Sequence, residues 1–137
     1  MRITHIAAGG FHTLALSSNH ELYAWGSSKY GECGNGKFGE DVLVPHQVKL
    51  PTDERKELRI KAVEAGGHHS MILSHNGKLY TFGYGQHGQL GLRSNTNHSS
   101  PKLVKDLLSK PIAKIAAGWN HTLALTERGD LFACGYG

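Results

Sequence analysis

The stretch AGGHHSMILSHNGKLYTFGYGQHGQLGL, residues 65–92, decides the fold, because most of it recurs elsewhere in the chain. Its central block, EAGGHHSMILSHNGKLYTFG at 64–83, aligns without a gap with two other blocks. These are AAGGFHTLALSSNHELYAWG at 7–26 and AAGWNHTLALTERGDLFACG at 116–135. Successive copies are 57 and 52 residues apart, and such regular spacing indicates a protein built from copies of one structural unit.

The same residue types recur at fixed positions within each copy. Glycine and histidine lie near the start of every block and glycine closes it, while the first two copies continue to match as far as YGECG at 30–34 and HGQLG at 87–91. We divide the single domain 1–137 into units at about 1–57, 58–109 and 110–137, the last of them incomplete. The recurring positions that we expect to be structural are Gly9, His12, Gly26, Gly66, His69, Gly83, Gly88, Gly91, Gly118, His121 and Gly135.

Hydrophobic residues within a unit alternate with the period of β-strands. In HTLALS, residues 12–17, the leucines fall on one face, and LYAWG at 22–26 supplies a second short strand rich in aromatic residues. The connections between such strands contain the Asn, Gly and Ser of tight turns. Extended segments that begin at Pro45 and Pro101, together with IKAVEA at 60–65, bring the count to about four antiparallel strands per unit. Four-stranded units of this length indicate an all-β protein of the β-propeller class.

One strand of the middle unit is apolar throughout its centre, since Met71, Ile72 and Leu73 follow one another. A sheet with one wet face would place a polar residue among them, so we expect this strand to be covered on both faces. A propeller blade held between two similar blades has such surroundings.

The combination of motifs resembles the RCC1 (regulator of chromosome condensation) repeat. It comprises G-x-x-H-[TS]-x-x-L, then G-x-L-[YF]-x-[WF]-G and G-Q-L-G-L, of which residues 65–92 are the best example. The resemblance covers nearly the whole chain and implies a seven-bladed propeller. Seven blades of this size need on the order of 350 residues. We therefore expect these two and a half blades to be a fragment of a larger ring, or to associate with other chains to complete one.

Gly83, Gly85 and Gly88 also spell G-x-G-x-x-G, the pattern of a dinucleotide-binding loop. Such a loop needs a helix immediately after it, whereas QLGLRSNTNHSSPKLV at 89–104 has no helical period. Because Gly83 and Gly88 belong to the repeat, we expect them to serve turns with positive φ or close strand approach, and we expect no bound nucleotide.

The remaining candidate chemical groups fit structural roles. A histidine repeated in every blade is expected to be architectural, with its ring hydrogen-bonded to backbone where two blades meet. Cys33 matches Leu90 and Cys134 matches Phe82, so both cysteines are expected in the core. The sequence holds no nucleophile–base motif, phosphate loop or metal motif. We expect no catalytic, cofactor-binding or metal-binding residues in this segment, although the resemblance allows a ubiquitin ligase or kinase domain elsewhere in the same protein.

The composition favours a protein partner over nucleic acid. Lysine and arginine number 15 against 11 acidic residues, which gives a net charge of +4 without a dense basic run. The N-terminus lacks the apolar core of a signal peptide, and no apolar run approaches the length of a membrane helix. We therefore expect a cytoplasmic and/or nuclear protein with no membrane segment.

The resemblance implies a non-enzymatic scaffold for protein–protein interaction within a larger regulatory protein. The partner would be another protein or another part of the same propeller, bound by the longer connections 36–47, 50–59 and 92–102. One alternative is guanine-nucleotide exchange on a Ran-type small GTPase, for which the family uses an inserted β-hairpin wedge; no obvious insertion of that kind is expected here. A further alternative is binding to chromatin or DNA, which the basic charge permits.

Overall fold

The structure is a computed structural model, and it describes residues 2–53 and 56–136. Three antiparallel sheets follow one another along the chain, each built as a meander. The first sheet consists, in spatial order, of β1 (Ile3–Ala8), β2 (His12–Ser17), β3 (Leu22–Gly26) and β4 (Val42–Gln47). A short hairpin of β5 (Thr52–Asp53) and β6 (Lys56–Glu57) separates it from the second sheet.

The second and third sheets repeat this plan, and they confirm the expected all-β architecture of propeller blades. The second contains β7 (Ile60–Ala65), β8 (His69–Ser74), β9 (Leu79–Gly83) and β10 (His98–Leu103). After a 3-10 turn at Lys105–Leu107, the third contains β11 (Ile112–Ala117), β12 (His121–Thr126) and β13 (Leu131–Gly135). No helix in the described part of the chain is long and apolar enough to cross a membrane.

Two apolar layers hold the three sheets together. Ile72 of β8 lies in the layer against the first sheet, where it joins Leu14. Met71 and Leu73 lie in the layer against the third sheet, where they join Ala124. Successive side chains of a strand point to opposite faces, so the consecutive apolar residues of β8 feed both layers. Every residue of β8 is buried, which confirms that this strand is covered on both sides.

The sequence-based boundaries were wrong at the outer edge of the blades. Pro45 and Pro101 were expected to open their strands, but each is the fourth residue of its strand. Proline is tolerated there because β4 and β10 are edge strands, and an edge strand does not need every N–H for pairing. Between the first two sheets the chain forms only the short β5–β6 pairing, with two residues in each strand.

The antiparallel topology sorts the connections onto two opposite faces of the arc of blades. We call one the loop face, which carries the turns between the first two strands and the loops between the last two strands of each blade. It comprises residues 9–11, 27–41, 66–68, 84–97 and 118–120. The hairpin face lies opposite and comprises the turns at 18–21, 75–78 and 127–130.

The two ends of the arc expose positions that are buried between blades. Ile6 in β1 and Leu131 in β13 are largely exposed, whereas their repeat counterparts Val63 and Leu79 are buried. Each end therefore presents the kind of apolar surface that joins neighbouring blades in the middle of the arc.

Candidate interaction surface

The repeated histidines join neighbouring blades through side-chain hydroxyl groups. Nε2 of His12 lies 2.9 Å from Oγ of Ser70, and Nε2 of His69 lies 3.0 Å from Oγ1 of Thr122. The sequence-based expectation of a backbone partner is therefore wrong for Nε2 of both rings, although the His12 ring also interacts with the backbone of His69 in the adjoining blade. A signal for the true partner was available, because the residue after each repeated histidine is Ser or Thr. His121, the third copy, is exposed at the start of β12.

We call the contact between the first and second blades the first junction. The positions of its protons follow from the hydrogen bonds of Ser70. Its single hydroxyl proton is donated to the backbone oxygen of Glu32 at 2.7 Å. The hydroxyl must therefore accept from His12, which places the imidazole proton on Nε2. Burial lowers the pKa of His12 and of His69 to about 4, so both rings are neutral at pH 7.

The glycine three residues before each repeated histidine makes room for its ring. A Cβ at Gly66 would lie 2.7 Å from the carbonyl oxygen of Gly118 and closer still to Cε1 of His69. The nearest atoms to a Cβ at Gly9 and at Gly118 are likewise in the histidine ring of the same turn. Glycine at this position thus lets the ring fold back over its own turn and lets the adjoining blade approach.

The glycines that close each block lie at turns where the chain leaves the third strand. Gly26, Gly83 and Gly135 have φ of +105°, +105° and +121°. In the loop after Gly83 the backbone continues through Gly88 and Gly91 with φ of +77° and +68°. No helix follows in this loop, which runs from 84 to 97. The G-x-G-x-x-G pattern is therefore a set of turns without the strand–helix junction that a phosphate site requires.

The two cysteines differ in burial but neither is poised for chemistry. Cys33 is fully buried in the first apolar layer, and burial raises the pKa of its thiol to about 11. Cys134 is partly buried and donates to the backbone oxygen of Gln89 at 3.5 Å, and its pKa is also raised by burial. A raised pKa removes the reactive thiolate. Among the described residues there is also no group of three or more His, Cys, Asp or Glu side chains that could hold a metal ion.

A continuous set of exposed and half-buried rings covers the loop face, and the sequence-based reasoning missed it. The rings contact one another from blade to blade, with centroid separations between 4.7 and 6.3 Å along the series. Phe11 is 63% exposed and Trp119 is 55% exposed. We call this set the aromatic surface; it comprises Phe11, Tyr30, His68, Tyr84 and Trp119.

His68 lies at the centre of the aromatic surface. Phe11 stacks on its ring at 5.6 Å with an interplanar angle of 24°. Trp119 and Tyr30 approach it edge-on at 5.7 and 5.0 Å, with angles of 78° and 74°. The near-parallel pair is thus flanked by near-perpendicular rings, which are the two arrangements that aromatic pairs prefer.

Trp119 reaches across two blades because glycines lie beneath it. Its counterparts in the other two repeats are Gly10 and Gly67. A Cβ at Gly67 would lie 2.6 Å from Cδ2 of the indole, and one at Gly10 would lie 2.6 Å from its Cη2. The turns are also joined by backbone, since the N–H of Gly67 donates to the oxygen of Trp119 at 3.0 Å. The indole therefore rests on a rigid, side-chain-free floor.

A buried carboxylate fixes the orientation of His68. Oε2 of Glu32 lies 3.1 Å from Nδ1 of His68, and Oε1 accepts the backbone N–H of Tyr30 at 2.8 Å. Glu32 is 0% exposed. At the second junction, between the second and third blades, the corresponding residues are Gln89 and Asn120, so the first junction differs from it in having a carboxylate bonded to an imidazole.

The three connections proposed from sequence as binding segments lie on different parts of the molecule. Segment 36–47 runs from the loop face along β4 and exposes Leu43 and Val44, while segment 92–102 runs from the loop face along β10. Segment 50–59 contains the β5–β6 hairpin and lies outside the loop face, and its residues 54 and 55 fall outside the described part of the chain. None of the rings of the aromatic surface comes from these segments.

Comparison with known proteins identifies the class. The sequence model of the regulator of chromosome condensation (RCC1) repeat matches residues 19–73 and 76–125, and a second RCC1 repeat model matches 3–32 and 60–89. The chain belongs to the RCC1 repeat family.

Relatives contain this segment as a part of longer proteins. The chain is 36% identical over 136 residues to the ultraviolet-B receptor UVR8 of Arabidopsis thaliana, which covers 99% of the chain and 30% of the receptor. It is 36% identical over 137 residues to the probable E3 ubiquitin-protein ligase HERC4 of Homo sapiens, of which it spans 13%. Yeast RCC1 (Prp20) bound to Kap60 superposes with a TM-score of 0.88 at 27% identity, over 99% of the chain and 32% of that protein.

Proposed function

We propose that this RCC1 repeat segment is a non-enzymatic protein-interaction module of a larger regulatory protein, and that it binds its partner through the aromatic surface. The observation that carries the proposal is the contact series of Phe11, Tyr30, His68, Tyr84 and Trp119 on one face. Aromatic side chains dominate the energetics of protein interfaces, and exposed apolar patches on soluble proteins mark interaction sites.

The aromatic surface is also rigid before any partner arrives. The turns beneath it are joined between blades by backbone hydrogen bonds, such as Gly10 N–H to the oxygen of Gly67 at 3.1 Å. Glu32 fixes His68 from below. Side chains that are already ordered lose little conformational entropy on binding, which favours affinity.

The test is a pair of matched double variants of the protein that carries these repeats. F11A/W119A removes two exposed rings of the aromatic surface. L43S/V44S is the control; it removes exposed apolar side chains that are 87% and 69% exposed and installs the serines found at the equivalent positions Ser99 and Ser100. Quantitative affinity purification from cells would identify partners, and titration with each purified partner would give its Kd.

We expect F11A/W119A to weaken partner binding at least tenfold, because loss of a central aromatic side chain costs about 2 kcal/mol or more. The control is expected to change the Kd less than about twofold, since Leu43 and Val44 lie on β4 outside the aromatic surface. Equal effects of the two double variants, with both proteins folded, would refute the assignment of the loop face.

Guanine-nucleotide exchange is the second candidate, and the similarity to a solved yeast relative favours it. A solved relative, yeast Prp20p, was described together with its binding to Gsp1p and histones, and it superposes with a TM-score of 0.87 at 25% identity. Release of a fluorescent guanine nucleotide from a Ran-type GTPase is the test, and an unchanged release rate with the full-length protein would exclude this activity.

Chromatin or DNA binding is a third candidate function. We also propose that the protein is located in the cytoplasm or the nucleus. The net charge of +4 supports electrostatic attraction to an acidic partner without requiring it. DNA binding of this origin would fall steeply with salt, whereas docking through the aromatic surface would not. Fluorescence microscopy of the tagged full-length protein tests the location.

A further inference from the structure

We propose that the first interblade junction of the aromatic surface takes a cationic side chain, arginine or lysine, presented by the partner protein. The inference rests on the proposed function, because it names the chemistry of the partner that docks on the same surface. It adds one feature that docking by apolar contact alone would not predict, which is discrimination by charge.

The first argument is the charge beneath the surface. Glu32 is fully buried, and among the described residues His68 is the side chain that bonds to its carboxylate; the His68 side chain is 23% exposed. With a neutral imidazole the pair carries one net negative charge, and with an imidazolium it is neutral. In the first state this pair attracts a cation.

The second argument is the arrangement of the rings above that charge. Aromatic faces carry negative electrostatic potential and attract ammonium and guanidinium groups. Phe11 and His68 are stacked, and the ring of Trp119 stands nearly perpendicular to both, at 84° and 78°. A side chain that enters this corner meets ring surfaces from two directions.

The third argument is an intramolecular example of the same contact. The ammonium group of Lys29 lies 5.5 Å from the centroid of Tyr30, a member of the aromatic surface. The distance is within the range of cation–π contacts. The ring environment at this junction therefore already accommodates a cation from its own loop.

The second junction serves as an internal comparison. Gln89 occupies the position of Glu32 and Asn120 that of His68, so the carboxylate is replaced by an amide and the ring is absent. Gln89 keeps the same local contact, because its Oε1 accepts the N–H of His87 at 3.0 Å. The fold therefore tolerates the neutral residue at this position, and the charge at Glu32 is not needed to form the loop.

The experiment compares two short peptides as probes, one with a central arginine and one with citrulline, which has the same shape without the charge. Binding to the full-length protein is measured by saturation-transfer NMR, which detects weak ligands of large proteins. We expect the arginine peptide to bind about threefold to tenfold more tightly. Equal binding of the two peptides, or no binding of either, would overturn the proposal.

Three variants locate the discrimination. E32Q copies the native Gln89 and is expected to remove most of the preference for arginine, whereas E57Q, which removes an exposed carboxylate on β6, is expected to leave it unchanged. F11A changes an exposed ring and keeps the test valid if E32Q fails to fold. If both E32Q and F11A keep the preference for arginine, the peptide binds outside the first junction and the proposal is refuted.

The outcomes separate this inference from the proposed function. If F11A/W119A abolishes partner binding while the two peptides bind equally, the aromatic surface docks the partner and the cation site is wrong. If the partner binds F11A/W119A normally, the proposed function fails first, whatever the peptides do.

Discussion

Substituting Gly66 by alanine gives a direct test of how the blades are packed. Gly66 lies at the turn before β8, where the ring of His69 folds back over it. The added Cβ would overlap Cε1 of that ring and would lie 2.7 Å from the oxygen of Gly118 in the adjoining blade. Carbon atoms normally approach to about 3.5 Å or more, so one of the two neighbours must move.

Neither neighbour can move without loss. His69 is fully buried, and its Nε2 is bonded to Thr122 at 3.0 Å. The oxygen of Gly118 belongs to the backbone of the next turn. Forcing a methyl group into a packed site costs about 1–3 kcal/mol, and losing the bond between the blades adds about 0.5–1.5 kcal/mol. We expect G66A to reduce the free energy of unfolding by about 2–4 kcal/mol.

The assay is urea unfolding of the full-length protein, followed by tryptophan fluorescence. G88A is the matched control, since a Cβ at Gly88 has no neighbour within 4 Å and meets only the strain of φ at +77°. That strain costs about 1–2 kcal/mol. The contact argument is refuted if G66A proves no more destabilising than G88A.

A double variant separates the ring from the backbone. In H69A the imidazole is absent, so adding G66A should reduce the free energy of unfolding by less than it does in the wild-type background. The contact with Gly118 remains in both backgrounds. An unchanged cost of G66A in H69A would mean that the ring is not the obstacle, contrary to the geometry described here.

Further predictions concern protons, thiols and hydroxyl groups. Because the pKa of His12 and of His69 is about 4 in the folded state and about 6.5 in unfolded chains, stability should be complete above pH 6.5 and fall toward pH 4. Each ring contributes up to about 3 kcal/mol to this loss of unfolding free energy. The urea concentration at the unfolding midpoint should therefore fall between pH 8 and pH 4, and it should fall less in H69Q. Cys33, with a pKa of about 11, should react with iodoacetamide at pH 8 about a hundredfold more slowly than an ordinary cysteine. Mass spectrometry would contradict this if Cys33 were labelled as fast in the folded protein as in the protein unfolded by urea. T122V should reduce the free energy of unfolding by about 1–3 kcal/mol, because it leaves Nε2 of His69 unpaired. S70A should reduce it further, because the Ser70 hydroxyl also donates to the backbone oxygen of Glu32. Equal urea midpoints for T122V and wild type would contradict the role of the bond between His69 and Thr122.

The repeated part of the fold was predictable because repetition separates structural positions from incidental ones. The unbroken apolar run of β8 could be understood only as a strand buried on both faces, and the structure places it so. The proline-containing edge strands were misplaced because the propensity of a proline does not show that its strand lies at an edge, where the missing N–H is harmless.

The aromatic surface was not predictable from the repeat, for the opposite reason. Phe11, Tyr30 and Trp119 occupy positions that are not aromatic in all the other copies, and they are up to 108 residues apart in the chain. Only the packing of the blades brings them together. Trp119 facing Gly10 and Gly67 in the alignment was the available signal, since a large residue opposite two glycines at one turn indicates that the turns lie side by side.

The histidine-to-hydroxyl contact between blades gives the arc a direction. Each blade offers an imidazole toward the following blade and a hydroxyl group toward the preceding one, so the two sides of a blade are not interchangeable. Thr13 and His121 hold the two complementary halves of such a contact at opposite ends of the arc. Blades of this type can therefore be added, exchanged between relatives or circularly permuted head to tail, whereas a reversed blade would set imidazole against imidazole and hydroxyl against hydroxyl.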